Sequence, residues 1–104
     1  MGVALEPSNR NETDIISETI RVHYWASARA AAGVSGDDLP VGGPITLEEV
    51  VRRASALHPD TRLDQVLAVC SALIGDQPVS SADPGSVLVR PGDCVEFLPP
   101  FAGG

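Results

Sequence analysis

The stretch 46–57 constrains the fold more than any other, because there the start, apolar face and stop of a helix all read from neighbouring residues. Thr46 and Glu49 have capping-box spacing, and Ile45 and Val50 stand where a hydrophobic staple pairs residues across a helix entry. Leu47, Val50, Val51, Ala54 and Leu57 recur at three-to-four-residue spacing and form one apolar stripe, with Glu48, Glu49, Arg52 and Arg53 outside it. Pro59 disfavours a helical conformation at His58 and ends the helix there. A chain of 104 residues supports one modest core. With a single strong helix, most of that core has to come from strands.

The rest of the chain supplies them. Ile20, Val22 and Tyr24 alternate with Arg21, His23 and Trp25, which predicts a half-buried strand over 20–26 whose first set faces the core. Ser27 then has the chemistry of a helix cap, 28–32 has strong helical propensity, and Gly33 suits the left-handed residue that closes a short helix. Leu39 and Val41 alternate with Asp38 and Pro40 in a short strand that the proline confines to a sheet edge or a strand end. A polar segment at 60–65 leads into an apolar run at 66–74, part of which has to be a strand, and residues 75–78 form a turn. After a loop at 80–85 come Val87, Leu88 and Val89, a tight turn at Pro91, Gly92 and Asp93, and a last strand over 94–98. This order predicts an α+β fold, a β-grasp roll of the ubiquitin-like kind: a mixed sheet with one main helix across one face, the first and last strands being central parallel neighbours. Residues 1–18 are polar and predict a disordered extension. The domain proper then spans 19–98 and an extended tail spans 99–104.

Charge and composition exclude several function classes. The net charge of −7 and the scattering of the seven arginines, with lysine absent, argue against nucleic acid, which needs clustered cations. No apolar run is long enough for a membrane span, and the N-terminus lacks a secretory signal, so a cytoplasmic protein is expected. Cys70 and Cys94 fall in apolar runs without Cys-x-x-Cys spacing and read as small buried hydrophobes. His23 and His58 lack the spaced partners of a metal site, and Gly42, Gly43 and Pro44 lack the ending of a phosphate-binding loop. Asp37 with Asp38 reads as a loop, and Glu48 with Glu49 as a solvated helix start.

What remains is the end of the chain. Gly103 and Gly104 place a side-chain-free dipeptide and a carboxylate after Pro99, Pro100, Phe101 and Ala102. Glycine threads channels too narrow for side chains. The two prolines stop the strand while keeping the tail extended, so residues 99–104 can project about 20 Å at ~3.3 Å per residue. Transfer of the Gly104 carboxylate to the α-phosphate of ATP makes a mixed anhydride, and sulfur delivered to that acyl group makes a thiocarboxylate. Leu98, Pro99, Pro100 and Phe101 are the expected partner-docking residues, with Phe101 the main anchor, and Phe101, Ala102 and Gly103 are expected to thread the partner's active site.

The ending Phe97-Leu98-Pro99-Pro100-Phe101-Ala102-Gly103-Gly104, preceded by Pro91-Gly92-Asp93-Cys94-Val95-Glu96, resembles the small subunits of molybdopterin synthases, ubiquitin-like sulfur carriers in which a Gly-Asp-x-Val turn and strand lead into a Pro-Pro-x-Ala-Gly-Gly end. The likeness extends over about 19–104, through the opening strand with its alanine-rich turn and the Thr-Leu-Glu-Glu helix. It departs at the N-terminal extension, at Phe101 where a smaller aliphatic residue is often found, and at Gly75 where asparagine is common. The resemblance implies activation by an E1-like adenylyltransferase that uses ATP and Mg, sulfur from a persulfide donor, and a complex with the synthase large subunit. It implies no stably bound cofactor, only the thiocarboxylate at Gly104, which supplies the dithiolene sulfurs of molybdopterin. Carriers for thiamine thiazole, cysteine or tRNA thiolation, and ubiquitin-like protein modifiers, share the Gly-Gly end and stay open as alternatives.

Overall fold

The computed structural model describes residues 18–79 and 83–100. The extension at 1–17 and the tail residues Phe101, Ala102, Gly103 and Gly104 lie outside them. The described elements are β1 (Thr19–Tyr24), α1 (Ala26–Ala32), β2 (Gly36–Pro40), β3 (Ile45–Thr46), α2 (Leu47–Ala56), α3 (Leu63–Leu67), β4 (Ser71–Ile74), β5 (Gln77–Pro78), a 3-10 turn (Pro84–Ser86), β6 (Leu88–Val89) and β7 (Cys94–Leu98).

Five strands form one mixed sheet in the order β2-β1-β7-β4-β5. β1 and β7 are parallel and central, in the register Val22↔Val95 and Tyr24↔Phe97. β2 lies antiparallel on β1, and β4 antiparallel on β7 with Ser71↔Leu98. A second, two-stranded sheet pairs β3 with β6 at the entry of α2. The alternation in β1 has the predicted sense, since Ile20, Val22 and Tyr24 are buried. On β7 the buried partners are Val95 and Phe97, and α2 adds Leu47, Val50 and Ala54 to the same core. The arrangement is the ubiquitin-like β-grasp roll that the order of elements predicted.

Local chemistry explains the element ends. Thr46 Oγ1 accepts the Glu49 N–H at 3.0 Å, which satisfies one of the unpaired donors at the start of α2. Gly33 closes α1 at φ 80°, in the left-handed region. Gly92 at φ 91° turns the chain so tightly that its N–H reaches the Thr19 carbonyl at 2.7 Å, setting the start of β7 beside β1. Pro40 ends the edge strand, as its missing donor requires.

Three expectations about the helices change. Ser27 is not a cap, because the chain enters α1 directly from the strand: the Trp25 carbonyl accepts from Ala28 and Arg29, which places Ser27 inside the first turn. Ala26 takes φ 51° to make that entry, a left-handed conformation costing about 1–2 kcal/mol. Leu57 is 51% exposed rather than part of the packed stripe. Helix α2 stops at Ala56, so Leu57 falls on the turn beyond the covered sheet. The segment 60–65 is not a plain polar connection, because Leu63–Leu67 forms the short helix α3 and buries its two leucines. Their four-residue spacing was the available signal, hidden by the polar residues around it.

Two outcomes are expected. Val50→Asp should remove about 3–5 kcal/mol of stability by leaving an unpaired charge in the core, read as a large fall in the urea midpoint. Arg52 and Arg53 both bond the Glu49 carboxylate and hold it down at about 2 from 4.5. A group held below its unfolded value stabilises the fold above that unfolded value and loses the effect as pH falls through the folded one. The stability difference between the wild type and Glu49→Gln should therefore be constant near neutrality, shrink below pH 4.5 and vanish near pH 2 in urea titrations.

Candidate functional site

The base of the tail is set by β7, the central strand, so the chain leaves the body from the middle of the sheet and not from an edge. Leu98 is the last strand residue, 37% exposed and paired with Ser71. Pro99 and Pro100 follow on the same end. Of the expected site residues, Leu98, Pro99 and Pro100 are thus placed together. Phe101, Ala102, Gly103 and Gly104 lie outside the described residues.

The two sides of this base differ. On the sheet face away from α2, Trp25 is 44% exposed beside the strand end. Its Nε1 donates to Glu96 Oε1 at 2.8 Å, and the same oxygen lies 3.5 Å from His23 Nδ1. The His23 and Trp25 rings are tilted against each other with centroids 4.8 Å apart. Glu96 therefore holds the indole in place, so that Trp25 and Leu98 form apolar surface with little rotamer freedom left to lose on contact with a partner. On the opposite side, α1, α3 and the two prolines enclose a groove of about 710 Å3.

One polar network escaped the sequence reading. Asp37, expected in a loop, sits on β2, where its Oδ2 accepts from the Tyr24 hydroxyl at 2.8 Å and lies 2.6 Å from His58 Nε2. Burial, and then the Asp37 carboxylate, push the Tyr24 phenol above its ordinary value. The phenol therefore stays a neutral donor to the carboxylate. The three residues tie β1, β2 and the turn after α2 together, and their wide spacing in the chain left no motif to find. His23, expected to face outward, does so.

The thiols offer no activated nucleophile. Cys70 and Cys94 are free and half-buried, and burial pushes the Cys70 thiol up to about 11 and raises that of Cys94. Among the described residues there is no group of three or more His, Cys, Asp or Glu side chains able to hold a metal, and no helix is long and apolar enough to cross a membrane. The chemistry this arrangement can support is presentation: a rigid strand end with an apolar collar, followed in the sequence by a Gly-Gly end.

Known proteins resemble this chain in sequence and in fold. A molybdopterin synthase sulfur carrier subunit of Aspergillus niger is 31% identical over 88 residues, covering 85% of this chain and 97% of that protein. Among solved structures, SAMP1 from Haloferax volcanii superposes with a TM-score of 0.65 at 17% identity, covering 83% of this chain and 99% of that one. A complex of subunits 1 and 2 of the molybdopterin-converting factor from Helicobacter pylori contains a chain matching at a TM-score of 0.54 and 21% identity, over 83% of this chain and 99% of that one. The ThiS family model matches residues 22–104, from the middle of β1 to the last glycine, and the chain belongs to the ThiS family.

Proposed function

We propose that this protein is the sulfur carrier of a molybdopterin synthase, its small subunit, and that Gly104 is the atom-carrying end. The observation that supports this reading most is the exit of Pro99 and Pro100 from the central strand beside an apolar collar, with Phe-Ala-Gly-Gly next in the sequence, in a chain aligned over most of its length with a relative of that name. An E1-like adenylyltransferase using ATP and Mg joins the Gly104 carboxylate to AMP, with pyrophosphate leaving. The terminal sulfur of a persulfide donor then displaces AMP to give an acyl disulfide, and a second thiol reduces it to the thiocarboxylate. The sulfur-loaded tail enters the large subunit, where Gly103, Ala102 and Phe101 thread the active site and sulfur passes to the dithiolene of molybdopterin.

The collar divides the labour. Leu98 and Trp25, with Pro99, Pro100 and Phe101, contact the large subunit and the activating enzyme, while the charged outer face of α2 stays in water. The free, protonated thiols fit a reducing cytoplasmic setting. Residues 1–18 form an extension outside the 19–98 domain.

Coexpression with the adenylyltransferase and a sulfur donor should give an intact mass raised by the replacement of one oxygen by sulfur. Deleting Gly104 should abolish that gain while leaving the circular dichroism spectrum unchanged, because the new terminus stops one residue short of the activating site. Conversion of the deletion at the normal rate would overturn the mechanism. Leu98→Asp should weaken binding of the large subunit at least tenfold in calorimetry without unfolding the domain, given its exposure.

A further inference from the structure

Two features of the described surface converge where the tail leaves the body. The first is the groove between α1 and α3, whose apolar wall is formed by Ala31, Val66 and Val69 and which Pro99 and Pro100 border. Val69 is 62% exposed, so this wall faces water across the groove. The second is Arg62, which lines the same groove and makes no ion pair among the described residues, whereas Arg21, Arg52 and Arg53 each have a carboxylate. An unpaired guanidinium beside an apolar groove, in a chain of net charge −7, is a site for an apolar group with an anion attached.

The chain carries such a group next to the groove. Phe101 follows Pro100 directly, and the terminal carboxylate is on Gly104, three residues further. At ~3.3–3.6 Å per residue the four residues after Pro100 span at most about 14 Å, so the carboxylate stays close to the groove that Arg62 and Pro100 both line. We propose that in the free protein Phe101 occupies the groove between α1 and α3 and the Gly104 carboxylate pairs with Arg62, so that the tail is stowed against the body. Tethering favours this occupant over any free partner, because the phenyl group is held at a high effective concentration by a single peptide link.

The stowed state needs nothing from the carrier reading, but its consequence rests on that reading. A partner must lift Phe101 out of the groove before the tail can extend, and only one that offers Phe101 and the terminal anion better contacts shifts the population. The collar of Trp25 and Leu98 on the open sheet face remains available for first contact while the tail is stowed. A thiocarboxylate keeps the negative charge, so the loaded tail returns to the same seat.

Methyl NMR on the full, unmodified chain tests the seat without any activating enzyme. Relative to Phe101→Ala, the wild type should show ring-current shifts at the methyls of Ala31, Val66 and Val69 and none at Leu73, which pairs with Glu96 on the open sheet face, at every protein concentration. Arg62→Gln should move the Gly104 carboxyl carbon resonance. Carboxypeptidase release of Gly104 should rise about tenfold in Phe101→Ala, the least that burying a phenylalanine would protect. Unmoved groove methyls, shifts at Leu73 instead, shifts that grow with concentration as for a second copy, or an unmoved Gly104 carboxyl carbon would each overturn the proposal. A stowed tail on a chain that is never converted to a thiocarboxylate would defeat the carrier reading alone.

Discussion

The parallel pairing of β1 with β7 is the interaction on which the rest depends. A parallel pair cannot be closed by a hairpin, so everything between the two strands has to be accommodated as the crossover. Here that crossover holds β2, which returns antiparallel to β1, then α2, which covers the buried face, and β4, which pairs with the far side of β7. The bonds from Arg21 N–H to the Asp93 carbonyl and from Trp25 N–H to the Phe97 carbonyl fix both ends of the pair. Because these contacts join the two ends of the described chain, the tail base cannot form before most of the domain has assembled, a topology that slows folding but makes the strand end rigid.

That rigidity is what a presenting domain needs. A side-chain-free end gains reach from its freedom, but it has to start from a fixed point to arrive in a partner's site. Central β7 provides the fixed point, and the two prolines after it limit the first step of the tail. The apolar collar of Trp25 and Leu98, held in place by Glu96, and the groove behind it then give the tail base two unlike sides, one suited to partners and one suited to the tail's own phenyl group.

The Tyr24–Asp37–His58 network serves the same frame from below. Asp37 receives two donors, one from β1 and one from the turn after α2, so a single carboxylate holds the helix end against the edge of the sheet. A carboxylate with two hydrogen-bond donors is a stable way to carry a part-buried charge. Losing either donor would leave the charge less well satisfied.

The amino-acid sequence alone determined the elements whose signal is local: the capped helix α2, the alternation that buries Ile20, Val22 and Tyr24, the Gly33 and Gly92 turns, and the strand Cys94–Leu98. It also held the Gly-Gly motif, because two successive glycines are a covalent fact that needs no fold. What only the tertiary structure decided is relational. Leu57 has the right spacing for the apolar stripe yet lies beyond the covered sheet, and Ser27 has the right chemistry for a cap yet is passed over because the Trp25 carbonyl already accepts the first helical bonds. Leu63 and Leu67 became helical because the core beneath them had room for two leucines one turn apart, which no window of polar neighbours reveals. The Asp37 network and the groove at the tail base are built from residues distant in the chain, and distance in sequence carries no signal until the parallel pair has closed the fold.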